Sequence, residues 1–167
     1  MSEWSQTRSQ KSIDQFNNKF KFWLFKWTML PAAAFMGLKV KSLEAKKCSI
    51  AIKYGWRTRN PFKSMYFAAQ CAAGELATGA VAIVVSKGFS ETILMLVTSV
   101  EAEFTKKAIG NITFTCDEGE TMIGVIQNAI VADEARVFRA TAIGTDEQGA
   151  VVSRIYISWS FKYKKRA

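Results

Sequence analysis

The sequence predicts an α+β fold in which a mainly antiparallel sheet has one long helix laid across it. Its elements follow one another as helix, strand, helix and then four strands interrupted by a further helix, with no alternating βαβ repeat. The long helix is the alanine-rich stretch at residues 61–79, because alanine loses no side-chain entropy on entering a helix. Late in the chain, two apolar strands joined by a turn at residues 144–149 predict a hairpin.

The first part of the chain predicts a polar tail and then an amphipathic helix. Residues 1–12 are polar and lack periodicity, so we expect a flexible tail before a single domain at residues 13–167. The apolar run at residues 22–36 is too short to span a bilayer, so no transmembrane segment is expected. A basic aromatic helix of this kind either packs on the edge of the domain or lies on a membrane surface. The helix ends or kinks near Pro31, and its stripe consists of Ile13, Phe16, Phe20, Trp23, Leu24 and Trp27.

Alternating apolar residues and turn signals place the strands. Cys48, Ile50 and Ile52 alternate with small or polar residues in a strand within residues 40–54. The stretch after Gly79, at residues 80–86, fits either a last helical turn or a short strand. Further strands are predicted at residues 92–104, 112–116, 137–143 and 151–161, a helix at residues 120–132, and a basic tail at residues 162–166.

The long helix carries one acid, Glu75, among small apolar residues. Pro61 suits the first turn of a helix and Gly79 is a plausible stop signal. Residues three, four and seven positions apart share a helical face, which places Ala68, Cys71 and Ala72 beside Glu75. A carboxylate on such a face is either solvated at an edge or positioned for chemistry.

Composition restricts the chemistry more than it identifies a partner. The chain has 167 residues and a formal charge of +9, which favours acidic partners such as nucleic acid, anionic membranes, phosphorylated cofactors or an acidic carrier protein. It has no histidine, so imidazole-based catalysis is excluded. Its three cysteines form no C-x-x-C pair, so no metal site is expected. With no signal-peptide pattern, the protein is expected to be cytoplasmic.

Nucleic-acid binding is one alternative that the charge suggests. Tyr54 and Trp56 are interleaved with Arg57 and Arg59, as in surfaces that stack bases and hold phosphates. No recognised nucleic-acid motif accompanies them, so we expect no nucleic-acid partner.

The segment from Asn60 to Glu75 resembles the active-site segment of hot-dog thioesterases. In that superfamily it often reads Asn, five residues, His-Gly-Gly, six residues and then Asp or Glu. Here the same spacing joins Asn60, the tripeptide Tyr66-Phe67-Ala68 and Glu75. The resemblance covers about residues 20–162 and is closest to an uncharacterised bacterial branch described as a domain of unknown function. Features shared with that branch are Lys26-Trp27, Pro31, Gly37-Leu38, Arg59-Asn60, Phe62, Ser64-Met65-Tyr66 and Glu75.

The resemblance implies a hot-dog fold, with five or six antiparallel strands wrapped around the helix at about residues 61–79. It also implies a homodimer or homotetramer with sites at the subunit boundary. The implied activity is hydrolysis of an acyl-CoA or acyl-carrier thioester, with coenzyme A or phosphopantetheine as part of the substrate and no separate cofactor.

The same resemblance assigns roles to residues. Glu75 would act as general base on a water or as nucleophile, and a backbone N–H of Phe67 or Ala68 would bind the oxyanion. Asn60 would polarise the carbonyl or orient the loop, and Tyr66 would donate its hydroxyl. Candidates for a clamp on the substrate phosphates are Arg57, Arg59, Lys63, Lys106 and Lys107.

A second reading is a non-catalytic hot-dog protein that holds an acyl chain or lipid. Tyr66, Phe67 and the missing histidine favour it, because bulkier residues restrict the backbone and narrow the place where a thioester would enter.

Overall fold

The computed structural model of the protein describes residues 3–164. In chain order these residues form α1 (Gln6–Asn17), α2 (Lys19–Met29), α3 (Pro31–Met36), β1 (Lys39–Leu43), β2 (Cys48–Lys53), α4 (Phe67–Lys87), β3 (Ile93–Phe104), β4 (Asn111–Cys116), α5 (Gly119–Ala132), β5 (Arg136–Thr145) and β6 (Val151–Tyr163).

The six strands form one antiparallel sheet in the order β1-β2-β4-β5-β6-β3. The expected hairpin is present, since β5 pairs with β6 from Arg136 opposite Phe161 to Thr145 opposite Val151. The predicted strand within residues 40–54 divides into β1 and β2, which pair with each other. Strands β1 and β3 are the edges of the sheet, and β3 pairs with β6 along nearly its whole length.

Helix α4 packs against one face of this sheet and forms the centre of the core. It contacts β2, β4, β5 and β6, and most of its residues from Leu76 to Ser86 are buried. By length and composition it is the single described helix that passes as a possible membrane span, yet 72% of its apolar window is buried inside the fold. The prediction of a central helix wrapped by an antiparallel sheet is therefore confirmed.

The predicted limits of this helix were wrong at both ends. Residues Pro61 to Met65 form a turn instead of the first helical turn, in which Lys63 adopts a left-handed φ of 58°. Gly79 does not end the helix, because residues 80–86 continue it to Lys87. The absence of a side chain at Gly79 allows close packing, since a Cβ there would lie 3.2 Å from the ring of Trp159.

The N-terminal region also differs from its prediction. Residues 6–12, expected to belong to a flexible tail, begin α1, which packs against α4. The contact is fixed by hydrogen bonds from Trp4 Nε1 to the Val85 carbonyl (3.0 Å) and from the Ser5 N–H to the Gly88 carbonyl (2.9 Å). The expected single amphipathic helix is divided at Asn18, whose side chain caps α2 by accepting from the Lys21 N–H.

The predicted helix at residues 120–132 is confirmed as α5, and the strands at 92–104 and 112–116 are confirmed as β3 and β4. Part of the predicted basic tail is strand, since β6 extends to Tyr163, while residues 165–167 lie outside the described residues.

Candidate functional site

The start of α4 lies beside a cleft of about 610 Å³. One wall is formed by the turn before α4 and the first residues of α4, which belong to the segment that resembles an active site. The other wall is formed by the end of β3 and the loop that follows it. The ring of Phe67 meets the ring of Phe104 at 6.4 Å, so the helix start contacts the edge strand. The cleft is lined by Asn60, Pro61, Phe62, Ser64, Met65, Tyr66, Phe67, Gln70, Phe104, Thr105, Lys106, Lys107 and Ala108.

Asn60 organises the turn that leads into the helix. Its Oδ1 accepts hydrogen bonds from the N–H groups of Phe62 (2.9 Å) and Ser64 (3.2 Å). Its Nδ2 donates to the Met65 carbonyl (3.3 Å), and the turn closes through a bridge between Arg59 and Met65. Of the two roles predicted for Asn60, these contacts favour orienting the loop.

Helix α4 begins without a side-chain cap. Tyr66 is the N-cap residue and has the extended backbone usual for this position, but its side chain makes no capping hydrogen bond to the first turn. Its N–H donates to the Thr58 carbonyl (2.7 Å), and its half-exposed ring packs edge-on against Phe67 with centroids 4.8 Å apart. Because the first N–H groups of a helix lack intrahelical partners, those of Phe67 and Ala68 remain available to an anion.

The predicted face of small residues around Glu75 is confirmed. Ala68, Cys71, Ala72 and Glu75 are the partly exposed positions of this part of α4, while the residues between them are buried. Burial raises the pKa of the Cys71 thiol, so this cysteine stays protonated and is a small apolar residue of the face. We call these four residues the open face of α4.

The carboxyl group of Glu75 lies in an apolar setting on this face. Burial raises its pKa above the ordinary value, and no side chain within residues 3–164 pairs with it. Its Oε1 is 3.3 Å from the point that a Cβ on Gly79 would occupy, beside the ring of Trp159. The carboxylate therefore lies near Gly79, one turn toward the C-terminal end of α4, at the position that the Trp159 ring also approaches.

Three residues around Glu75 were missed by sequence reasoning. Trp159 donates from Nε1 to Thr78 Oγ1 (3.1 Å), and Thr78 Oγ1 donates to the backbone carbonyl of Glu75 (3.1 Å). Gly79 leaves the space that the indole and the carboxylate share. The sequence shows by helical spacing that residues 75, 78 and 79 lie close together. It gives no sign of Trp159, because this residue belongs to a strand some eighty residues later.

Another missed pair lies at the base of the cleft. Gln70 is buried, donates from Nε2 to the Met65 carbonyl (3.3 Å), and accepts from Ser153 Oγ (2.8 Å). This pair ties the first turn of α4 to β6.

One chain does not bring Glu75 and the start of α4 together. Phe67 and Glu75 are eight residues apart, which is about 12 Å along a helix. A substrate carbonyl would accept a hydrogen bond of about 3 Å from the Phe67 N–H. A general base acting on it through one water must then lie within about 6 Å of that carbonyl. The carboxylate lies near Gly79, on the C-terminal side of Glu75, so one chain does not place this acid within that distance of the helix start.

The predicted phosphate clamp is spread over the surface. Arg57 stacks over Phe35 and donates to its carbonyl (3.2 Å), lining a separate groove of about 540 Å³ with Trp56. Arg59 and Lys63 lie exposed on the turn before α4. Lys106 and Lys107 are the basic residues that line the cleft, where Lys107 donates to the Phe62 carbonyl (3.3 Å) and Lys106 pairs with Asp146 (2.7 Å).

A family model described as Domain of unknown function (DUF4442) matches residues 21–161 of the chain. No curated protein matches this sequence.

Solved structures share the fold across nearly the whole chain. A protein of unknown function from Pseudomonas aeruginosa, described as a probable thioesterase, is 20% identical with a TM-score of 0.69, covering 93% of this chain and 96% of its own. A protein of unknown function from Chlorobaculum tepidum is 12% identical with a TM-score of 0.73, covering 96% and 98%. A thioesterase from Haemophilus influenzae is 11% identical with a TM-score of 0.59, covering 84% and 88%. At such identities these matches confirm the hot-dog fold.

Proposed function

The chain belongs to the family described as Domain of unknown function (DUF4442), and we propose that it hydrolyses acyl thioesters at a site formed by two copies of the chain. The observation that carries this proposal is the Glu75 carboxyl, which has no partner side chain in residues 3–164, a pKa raised by burial, and a half-open position. A raised pKa increases the basicity of a carboxylate, as the base of a hydrolytic reaction requires. Structures described as thioesterases share the fold, which supports the same reaction class.

The open face explains how two copies would complete a site. If two α4 helices pack antiparallel about a twofold axis between Cys71 and Ala72, Ala68 of one copy lies opposite Glu75 of the other. The small side chains on this face allow the close approach that such packing needs. The uncapped helix start of one copy then faces the Glu75 carboxylate of the other. The separation of Phe67 and Glu75 within one chain therefore does not prevent the two groups from acting on one substrate.

The long edge strand supports the same homodimer. β3 has twelve residues and is an edge of the sheet, with exposed apolar side chains at Leu94, Leu96 and Val100. An exposed edge of this length and character is suited to pairing with another copy. Because the Phe67 ring contacts Phe104 of β3, strand pairing and helix packing would occur on the same side of the molecule.

In the proposed reaction, Glu75 takes a proton from a water whose oxygen attacks the thioester carbonyl carbon. The carbonyl oxygen becomes an oxyanion held by the N–H of Phe67 or Ala68 at the positive end of α4. The carbon–sulfur bond then breaks, the thiolate leaves and takes up the proton, and a carboxylic acid is the second product. Direct attack by the Glu75 carboxylate, with hydrolysis of the resulting anhydride, is the alternative route for the same residue.

The cleft indicates the substrate class. Four aromatic side chains on its rim are exposed to about half of their surface or more, which suits an acyl chain, and Lys106 and Lys107 add positive charge for a phosphate-bearing thiol. We propose an acyl-CoA or acyl-carrier thioester, with Arg57, Arg59 and Lys63 as further contacts to its phosphates. The aromatic rim consists of Phe62, Tyr66, Phe67 and Phe104.

The test is release of free thiol from a panel of short and long acyl-CoA substrates by the purified protein. Glu75→Gln keeps the shape of the side chain but removes its basicity, so we expect kcat to fall by about 10²–10⁴-fold. The matched control is Glu134→Gln, which removes an exposed carboxylate far along the chain and should leave kcat unchanged. Equal activity of Glu75→Gln and the wild type would overturn the assignment.

A second candidate function is the holding of an acyl chain or lipid without turnover. The aromatic rim of the cleft favours it, since Tyr66 and Phe67 stand where the superfamily often has histidine and glycine. Native mass spectrometry of the purified protein decides between the two. A bound lipid together with no thiol release from any acyl-CoA would establish the binding function instead.

A further inference from the structure

The outward face of α2 carries large apolar side chains that nothing in residues 3–164 covers. Phe20 is 71% exposed, Trp23 52%, Leu24 49% and Trp27 49%. Their spacing of three and four residues places all four on one helical face, with the rings of Phe20 and Trp23 stacked 6.2 Å apart. The inner face of the same helix is already occupied, because Phe22 and Lys26 are buried. We call the four exposed residues the α2 aromatic face.

A basic groove of about 340 Å³ adjoins this face and shares Trp23 with it. Three lysines line the groove, Lys19, Lys26 and Lys39, and no carboxylate among the described residues lines it with them. Lys26 donates from Nζ to the Leu38 carbonyl (2.5 Å), and burial together with the nearby charge of Lys39 lowers its pKa. Because no carboxylate of residues 3–164 lines the groove, the exposed Lys19 and Lys39 have no counter-ion within it.

The surrounding part of the chain has the same sign of charge. Between residues 15 and 74 the sequence contains eleven lysines and arginines but a single acid, Glu44. Lys21 is exposed on the opposite flank of α2 from the groove, so lysines border the α2 aromatic face on both sides. An apolar aromatic stripe bordered by lysines is the pattern of helices that lie in the interface of a bilayer.

We propose that the α2 aromatic face binds the surface of a bilayer containing anionic phospholipids, with lipid phosphates seated beside the exposed Lys19 and Lys39. The aromatic rings would enter the boundary between head groups and acyl chains while the lysine ammonium groups stay at phosphate depth. A second copy of the chain fits this surface poorly, because it would bring two lysine-bordered faces of the same sign together. This inference is independent of the proposed hydrolytic activity.

The first experiment uses the full-length wild-type protein and vesicles. We expect co-sedimentation with vesicles of phosphatidylcholine mixed with phosphatidylglycerol, much weaker binding to phosphatidylcholine alone, and release by added salt. Lipids brominated in the upper part of the acyl chain should quench tryptophan fluorescence, because Trp23 and Trp27 would lie at that depth. Because this measurement uses only the wild-type protein, it remains valid even when a variant fails to fold.

The second experiment separates the apolar and the charged contributions. Trp23→Gln with Trp27→Gln should lower the vesicle partition coefficient by tenfold or more, on the order expected for losing two half-exposed indoles. Lys19→Gln with Lys21→Gln should weaken binding to anionic vesicles by more than about tenfold, at roughly fivefold for each lysine. Controls with the same chemistry elsewhere are Val131→Gln with Val137→Gln and Lys87→Gln with Lys162→Gln, which alter exposed residues outside this face.

Three results would overturn the proposal. One is no binding of the wild type to anionic vesicles. Another is equal loss of binding in the variants and their controls, which would indicate a non-specific charge effect. The third is a smaller oligomer for the Trp23→Gln, Trp27→Gln variant in light scattering without vesicles, which would make the α2 aromatic face a contact between copies.

Discussion

The two faces of α4 are built from the same kinds of small residue but meet different surroundings. On the closed face Ala73, Gly74 and Ala77 are buried against the sheet, and Gly74 lies so near β6 that a Cβ would be 2.6 Å from the Cβ of Ile155. On the open face Ala68, Cys71 and Ala72 are partly exposed and lie beside an acid, Glu75. On the closed face, small side chains allow close packing within the chain. On the open face, they leave the Glu75 carboxyl group accessible from outside the chain.

The difference fits the proposed function, in which the closed face stabilises the fold and the open face carries the chemistry. A glycine pressed against a strand improves packing, whereas a half-buried carboxylate with no partner side chain in residues 3–164 opposes folding when ionised. Such an unfavourable group on a central helix is typical of a functional site, where stability is lost in favour of activity. Substitutions on the closed face should therefore lower stability, whereas substitutions on the open face should lower activity.

The largest effect on stability is expected on the closed face, from Gly74→Ala. The new methyl group would overlap Ile155 at its branch point, which cannot swing aside as the end of a flexible side chain can. We expect a loss of about 2–3 kcal/mol in the free energy of unfolding, or roughly 5–10 °C in Tm. Urea and thermal unfolding measure the change.

The matched control for this substitution is Gly124→Ala in α5. A Cβ at Gly124 meets nothing within 4 Å, so the higher helix propensity of alanine should raise the free energy of unfolding by up to about 1 kcal/mol. If both variants lose stability equally, the close contact of α4 with β6 is not what makes Gly74 necessary.

On the open face, Ala72→Leu is expected to leave the fold intact but to weaken the proposed dimer. Ala72 is half-exposed, so a larger side chain has room in the isolated chain, while it would block the close approach of a second α4. We expect the dimer Kd to rise about 30-fold, equivalent to about 2 kcal/mol, with thiol release falling in parallel. Analytical ultracentrifugation over a concentration series measures the Kd, and an unchanged dimer would argue against the proposed helix packing.

Much of the fold could be predicted because its signals are local. Alanine content identified the central helix, alternation located β4 and β6, and a glycine-bounded turn identified the hairpin of β5 with β6. The open face was also predictable, since helical spacing alone places Ala68 and Glu75 on one side.

The features that failed depend on contacts between distant residues. Pro61 fits a first helical turn, but the hydrogen bonds of Asn60 to Phe62 and Ser64 hold a turn there and delay the helix to Phe67. Residues 6–12 look like a tail because their packing against α4 depends on Trp4 reaching a carbonyl 81 positions later. Helical spacing likewise gives no sign that the Trp159 indole would lie beside Glu75.

A smaller effect is expected from Gly79→Ala, where the two faces meet. The added Cβ would lie 3.2 Å from Trp159 and 3.3 Å from the Glu75 carboxylate, so either group must move by a few tenths of an ångström. We expect kcat for thiol release to fall by about tenfold with less than about 1 kcal/mol lost in stability. A stability loss as large as that of Gly74→Ala, with kcat unchanged, would mean that Gly79 serves only packing.

The smallest expected effect is a gain in stability from Glu75→Gln, and its sign depends on pH. Burial raises the pKa of Glu75 in the folded state, so the folded protein favours the protonated carboxyl and is destabilised once the group ionises. At about pH 4, below the unfolded-state pKa, wild type and Glu75→Gln should unfold at nearly the same temperature. As the pH rises through the raised pKa, the wild type loses stability that the glutamine variant keeps. By about pH 8 we expect the variant to be more stable by up to about 1 kcal/mol.

Thermal unfolding across this pH range measures the difference, and Glu134→Gln, which removes an exposed carboxylate, should show no such gain in stability. If the Glu75→Gln variant is less stable than the wild type at high pH, the ionised carboxylate has a favourable partner. The acid on the open face would then be explained by its contribution to stability, without a catalytic role.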